Sequence, residues 1–280
     1  MHLKMSLDQS LKFEEIIKMD NVINSTKDLG YGFFKDCFSD SEVNLIKKRI
    51  DCYVNNNDYG VIYEEDAVTI RGIHGLHLKD DFFSRLIKDP RLLNLAEDHL
   101  GTKCYLHQFK INYKRPFKGA SWPWHQDFPY WKEGDGILMP NLINIAIFID
   151  DASMLHGPLC MIPKSHLLGN VSKKVIDETS WKVDVSSNLT YQIEKKHIEK
   201  LTANDNFEFI TGKAGDVFLF DSLVIHASGS NISAHDRRLL ILTYNSVNNL
   251  PVKPIYKRPD FLRANDYTPL SSINTPLEQL

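Results

Sequence analysis

The sequence predicts an α+β chain with a mainly β core, in which helices come first and an antiparallel sheet structure forms the centre. Three observations predict this. Helical periodicity and capping signals are concentrated before Gly101, and the periodic segments after it are short and rich in β-formers. Strand-like segments also resume beyond a long polar interruption.

In chain order, Leu11, Phe13, Ile16 and Ile17 alternate with charges between Leu7 and Met19, which predicts a short amphipathic helix within an N-terminal extension covering 1–29. Gly30-Tyr-Gly-Phe-Phe34 reads as a strand. Ser39-Asp-Ser-Glu42 is a capping box, with Phe38 and Val43 at the staple positions, so a helix runs from Asp40 to about Tyr53. A second helix is expected from Asp81 to Leu100 on the apolar face of Phe82, Phe83, Leu86, Ile87, Leu92, Leu93, Leu95 and Ala96, ended by Gly101. Cys104–Tyr113, Leu142–Ile149, Val217–Phe220 and Leu239–Tyr244 are the strands of the sheet. Gly157–His166 reads as turn, short strand and turn. The polar stretch 170–206 is expected to be an insertion loop that covers a site, and 263–280 an irregular tail.

Of the 280 residues 42% are apolar and 25% charged, ordinary globular usage and enough to bury a large core as one domain. A formal charge of −3 and a pI near 6.4 give no broad basic field. That removes the compositional case for nucleic acid or an anionic membrane and leaves a small molecule as the expected partner. No apolar run approaches the roughly 18 residues of a membrane span. Cys37, Cys52, Cys104 and Cys160 form no C-x-x-C pair and no leader pattern opens the chain, so reduced thiols and a cytoplasmic location are expected.

The most informative stretch is Trp122-Pro-Trp-His-Gln-Asp127. His125 and Asp127 lie two apart, so on a strand or its end both project to one face and can bind one metal. A distant imidazole would complete a two-histidine, one-carboxylate triad, which leaves open positions and suits iron(II) oxygenases. With 11 histidines in the chain an H-x-D arises readily by chance, so the surroundings decide. His226 follows the strand Gly215–Phe220 and precedes Ser228, and Arg237 comes on the next strand. An iron-chelating 2-oxoglutarate needs a guanidinium fork and a hydroxyl for its far carboxylate, which Arg237 and Ser228 supply while Arg238 points outward. Trp122, Trp124, Phe128, Tyr130 and Trp131 crowd the proposed metal and would keep it dry, although plain sheet packing explains any one of them equally well. Trp131 and Phe220 are the preferred pocket residues. His156 and His166 sit in turns, and His74, His77, His107 and His235 are expected to be structural or exposed.

The ordered set W-H-x-D-F, G-P-L-x-x-I-P-x-S-H and L-F-D-x-x-x-x-H-x-S, with its following arginine, resembles the phytanoyl-CoA dioxygenase family of iron/2-oxoglutarate oxygenases from about Gly30 to Leu262. Within that family, His107–Lys114, Trp124–Phe128 with Trp131, Gly134-Asp-Gly136 and Tyr244-Asn245 are similar to the ectoine hydroxylases. The resemblance implies a double-stranded β-helix, or jelly roll, with flanking helices. It implies iron(II) on His125, Asp127 and His226, 2-oxoglutarate on Arg237, Ser228 and Lys110, O₂ as co-substrate, and a substrate facing Gln108, Trp131 and Phe220. The implied reaction is hydroxylation of an unactivated C–H of a small polar or zwitterionic substrate, an amino acid or amino-acid derivative, with release of succinate and CO₂. Halogenases of this type lack the carboxylate, so Asp127 favours hydroxylation, with desaturation or cyclisation as variants.

The departures bear on the substrate. Ectoine hydroxylases read W-H-S-D-F-E-T-W-H where this chain has Gln126, Pro129, Tyr130 and Lys132. The substrate therefore need not be ectoine: a free amino acid, a derivative or one tethered to a carrier protein each fits a polar and aromatic pocket. Two readings from other classes compete. A zinc-dependent hydrolase could use the same three ligands but would need a general base and has no use for Arg237 and Ser228. A non-catalytic jelly-roll binding protein has no need of an intact triad beside an arginine.

Overall fold

The computed structural model describes residues 7–177, 180–252 and 258–279. Helix α1 (Leu7–Leu29) is one helix of 23 residues, longer than its apolar spacing suggested. It leads into β1 (Tyr31–Phe34) and packs on it, burying Val22 and Ile23. Helix α2 (Asp40–Asn56) starts at the predicted capping box: Ser39 Oγ accepts from the Glu42 N–H at 3.3 Å, and the Ser39 N–H donates to Glu42 Oε2 at 2.9 Å. Strands β2 (Val61–Tyr63) and β3 (Ile70–His74) follow.

The single helix expected over 81–100 is two helices, α3 (Asp81–Leu86) and α4 (Pro90–Leu100). The apolar stripe spans both, but Pro90 disfavours helical geometry at Asp89, which adopts ψ 127°. Asp89 instead caps a new helix by accepting from the Arg91 N–H at 2.9 Å, and Pro90 occupies the first turn, where its missing N–H costs nothing. Gly101 ends α4 in the left-handed conformation, as expected.

The strands after Gly101 are β4 (Cys104–Lys114), β5 (Trp122–His125), β6 (Leu142–Phe148), β7 (Leu159–Met161), β8 (Lys173–Lys174), β9 (Tyr191–Gln192), β10 (Glu208–Ile210), β11 (Val217–Asp221), β12 (His226–Ser228) and β13 (Arg237–Ser246). They form a seven-stranded sheet in the order β1-β11-β6-β13-β4-β3-β2, a four-stranded sheet in the order β10-β7-β12-β5, and the β8-β9 pair. The pairings that build both large sheets are antiparallel. This is the double-stranded β-helix that the resemblance implied.

Alternation along the central strands assigns the layers. Ile143, Ile145 and Ile147 of β6 pack with α2, α3 and α4 on the outer face of the large sheet. Ala146 and Phe148, with Phe218, Phe220, Leu239 and Ile241, face Leu159, Met161 and Ile210 of the smaller sheet. Both faces of the large sheet are thus covered, which is why its central strands read as unbroken apolar runs.

The insertion is not the loop expected over 170–206. After the one-turn helix α5 (Phe128–Tyr130), it carries β8, helix α6 (Trp181–Asp184), β9 and helix α7 (Lys195–Leu201), and Val171, Ile193, Ile198 and Leu201 pack with Ile162 and Ile225. Elements this short leave little periodicity in a sequence. The tail is irregular apart from a short turn at Leu277–Gln279, but Leu277 is buried, as is Leu262 just ahead of the tail.

Replacing Ser39 with alanine removes the cap acceptor of α2 and should lower unfolding free energy by about 1 kcal/mol, read as a shift of the urea midpoint at unchanged slope.

Candidate active site

A three-residue strand of the smaller sheet, held on both edges, makes the site. Strand β12 pairs on both edges, placing His226 opposite His125 of β5 and opposite Met161 of β7. The two imidazoles lie with ring centroids 4.1 Å apart. His125 Nδ1 donates to the Pro123 carbonyl at 2.7 Å and His226 Nδ1 to the Val224 carbonyl at 3.0 Å. Because a carbonyl only accepts, each Nδ1 carries the proton and each Nε2 presents a lone pair. Those Nε2 atoms lie 3.7 and 3.9 Å from Asp127 Oδ1. The Asp127 Oδ2 accepts from Asn144 Nδ2 at 2.9 Å, and Asn144 Oδ1 accepts from the Thr243 hydroxyl at 2.7 Å. The three ligand atoms fall within 4.8 Å of one another, the geometry of a metal-binding group.

Charge at this centre is already suited to a cation. Burial pushes the His125 pKa down to about 3, with His226 adding to the effect, and burial likewise lowers His226. Burial alone would raise Asp127, but Lys110 and the two histidines outweigh it and hold the carboxyl at about 2. The ligand set is therefore two neutral imidazoles and a carboxylate, the set expected for iron(II) with open positions.

A second polar group lies on β12 and β13. Arg237 is 2% exposed and donates through one terminal nitrogen to the Gly157 carbonyl at 2.7 Å. Its Nε, and the Ser228 hydroxyl, are buried without a hydrogen-bond partner. Arg238 turns the other way, gripping Asp150 at 2.8 and 2.9 Å and Asp51 at 2.9 Å. Gly157 is needed for this packing, since at φ +62° an added Cβ would lie 2.5 Å from the Gly229 carbonyl.

His125, Asp127, His226, Arg237, Ser228, Lys110, Gln108, Trp131 and Phe220 all line one cavity of about 70 Å³. Lys110 stands at the metal end, 3.6 Å from Asp127 and facing the Trp131 ring at 6.0 Å. The lysine paired with Arg237 across the strands is Lys114, whose Nζ donates to the Ala120 and Gly229 carbonyls at 2.6 and 2.5 Å. Phe220 packs against His226 with ring centroids 5.5 Å apart.

The same cavity is lined by residues that sequence reasoning left aside. His74, expected to be structural or exposed, is a buried wall residue that burial pushes down to about 3. Arg258 belongs to the C-terminal segment and donates to Asp135 Oδ2 at 2.7 Å, which also meets His107 Nε2 at 3.0 Å. Asp184, Val185 and Leu189 enter from the insertion. The signal that could have found Asp135 was its glycine-flanked motif, whereas nothing in the pattern around Asp184 or Arg258 singled them out.

Two departures from the ectoine-hydroxylase pattern fasten the insertion over this cavity. The Gln126 side chain, fully buried between His125 and Asp127, donates to the Gly169 and Leu223 carbonyls and accepts from the Val171 N–H and the Ser172 hydroxyl. The Tyr130 hydroxyl donates to the Tyr191 carbonyl at 2.7 Å and accepts the Tyr191 N–H at 3.0 Å.

A family described as Phytanoyl-CoA dioxygenase (PhyH) matches residues 27–239. The L-proline trans-4-hydroxylase of Streptomyces griseoviridis is 36% identical over 245 residues, covering 84% of this chain and 89% of that protein. The ectoine dioxygenase of Bordetella bronchiseptica is 30% identical over 253 residues, covering 88% of this chain and 80% of that one. Crystal structures of EctD from S. alaskensis superpose with a TM-score of 0.77 at 27% identity, over 91% of this chain and 87% of theirs. One of them holds 2-oxoglutarate and 5-hydroxyectoine, and another holds Fe. No helix among the described residues is long and apolar enough to cross a membrane.

Burial, reinforced by Arg237 and Arg71, pushes Lys114 down to about 6 from an ordinary 10.5. Between those values the unfolded chain binds the extra proton, so the stability contributed at this site is lowest below pH 6 and rises with pH across the window. Urea unfolding at several pH values should show wild type gaining stability relative to Lys114→Met from pH 6 upward, and a pH-independent difference would contradict the assignment.

Proposed function

The chain belongs to the phytanoyl-CoA dioxygenase family, and from that premise we propose that His125, Asp127 and His226 hold its iron(II) while Arg237 and Ser228 hold the far carboxylate of 2-oxoglutarate. It is an iron(II)- and 2-oxoglutarate-dependent dioxygenase that hydroxylates a small amino acid or amino-acid derivative. The observation that carries the residue assignment is convergence within one cavity. Three Lewis-basic atoms meet at the metal end, and a buried guanidinium N–H and hydroxyl without protein partners lie on the wall built by β12 and β13. A buried polar group left without a partner costs about 1–3 kcal/mol, and a carboxylate satisfies both donors at once. Lys110 faces the metal end, so its contact with 2-oxoglutarate falls at the keto-acid side.

Within that class we propose a free, proline-like imino acid as substrate. The L-proline trans-4-hydroxylase similarity supports it, as do the changes around Gln126 and Tyr130 relative to ectoine hydroxylases.

When bound, iron(II) with 2-oxoglutarate and O₂ supplies the oxidant, one oxygen atom leaving in succinate beside CO₂ and the other ending on substrate carbon. The chain's part is positional. The Pro123 and Val224 carbonyls fix the ligand imidazoles, Asn144 fixes Asp127, and Trp131, Phe220 and Tyr130 exclude water. The side chains that line the cavity then decide which substrate hydrogen faces the metal.

Adding iron(II) and then 2-oxoglutarate to apoprotein without oxygen should give a weak visible charge-transfer band. Asp127→Ala should abolish it. Arg237→Ala, losing a buried charge pair of about 2–5 kcal/mol, should raise the 2-oxoglutarate concentration required by roughly 30-fold or more. A folded, metal-loaded wild type without the band would reject the cofactor assignment.

A further inference from the structure

Strand β3 brings to the cavity a histidine that neither the metal site nor the 2-oxoglutarate site uses. His74 stands opposite Lys110 in the antiparallel β3–β4 pair, and Gly72 stands opposite Asn112. Residues opposite one another share a face of the sheet, as do residues two apart on one strand. His74, Gln108, Lys110 and Asn112 therefore project to one side, and all four line the cavity. A Cβ built on Gly72 would lie 3.6 Å from His74 Nε2 and 4.0 Å from Asn112 Oδ1. With no side chain at that glycine, the wall keeps space between two polar groups.

The His74 side chain is 5% exposed, and its Nδ1 is buried without a hydrogen-bond partner. His125 and His226 differ in this respect, since the Nδ1 of each donates to a backbone carbonyl. Burial, and then the charges of Lys110 and Arg258, push His74 down to about 3, so the ring is neutral near pH 7. A neutral imidazole carries one N–H donor and one lone pair. Burying it unsatisfied lowers stability, whereas an apolar side chain of similar size in its place leaves nothing unpaired. Packing alone thus gives no reason for a histidine at this position, and a hydrogen-bonding ligand does. Lys110, opposite on β4, indicates which end of a substrate that ligand is. A cation beside the ring repels an ammonium and favours an acceptor with negative charge. The carboxylate nearest Lys110, that of Asp127 at 3.6 Å, is the one proposed for iron(II).

We propose that His74 is a substrate-binding residue whose neutral imidazole donates an N–H to the carboxylate of the amino acid, in the space beside Gly72. This rests on the hydroxylase reading above. Such a donor selects for a carboxylate over an amide of nearly the same shape, because a hydrogen bond to an ionised acceptor is roughly twice as strong as one to a neutral acceptor.

The test compares wild type, His74→Leu and His74→Gln on L-proline, L-pipecolate and L-prolinamide. It reads substrate-stimulated succinate, binding of each compound to the anaerobic iron and 2-oxoglutarate complex, and urea unfolding. His74→Leu should raise KM for L-proline about 10- to 100-fold with a smaller change in kcat, and its preference for L-proline over L-prolinamide should fall by a similar factor. His74→Gln, which keeps an N–H donor, should recover part of both. The 2-oxoglutarate band should be unchanged, and the urea midpoint of His74→Leu should equal or exceed that of wild type. A His74→Leu that is less stable than wild type but keeps its KM and preference would make the histidine a packing residue and overturn the proposal while leaving the hydroxylase reading intact. Equal losses on L-proline and L-prolinamide would overturn the carboxylate as its partner. A wild type that forms the 2-oxoglutarate band but responds to none of these compounds would overturn the amino-acid reading and this proposal together.

Discussion

The pairing of His226 with His125 across two antiparallel strands is the constraint on which the rest of the molecule depends. Strand β12 is three residues long and would have no stability alone, so it exists only because β5 and β7 hold both its edges. That arrangement requires the smaller sheet to be complete. It also requires contact with the larger sheet, since Asp127 is oriented by Asn144 of β6 and Thr243 of β13. His125, Asp127 and His226 lie where polar bonds from Asn144 and Thr243 reach across from the larger sheet.

Electrostatics follow from the same burial. Two histidines kept neutral beside an ionised aspartate need lose no proton to accept a cation near neutral pH. At the Arg237 wall the balance is reversed: Arg237, Arg71 and Lys114 lie close enough that the two arginines depress the lysine, with Glu64 as a partial counterweight. A site that concentrates buried positive charge in this way is prepared for an anion, which is what the proposed 2-oxoglutarate carboxylate would supply.

Much of this was legible in the sequence, and the gaps have physical causes. The H-x-D pair, the distant histidine and the following arginine could be read because strand geometry converts a spacing of two into a shared face, and all nine named residues line one cavity. The capping box of α2 is local chemistry and was equally readable. The break at Asp89 was missed because the apolar stripe continues through it, although Pro90 was the marker. Asp184 and Arg258 depend on how the insertion and the C-terminal segment fold back over the barrel. That is decided by long-range contacts, such as those of Arg71 to Val185 and Ser186, which leave no periodic trace.

Gln126 has a mechanical consequence. Its backbone links His125 and Asp127, and its side chain bonds Val171 and Ser172 at the start of the insertion, Gly169 just before it, and Leu223, just ahead of His226. Those bonds tie the start of the insertion to the peptide that carries His125 and Asp127. The cover of the cavity and the pair His125 and Asp127 therefore share one anchor. A change that loosened that anchor would disturb the cover of the cavity and the setting of His125 and Asp127 together.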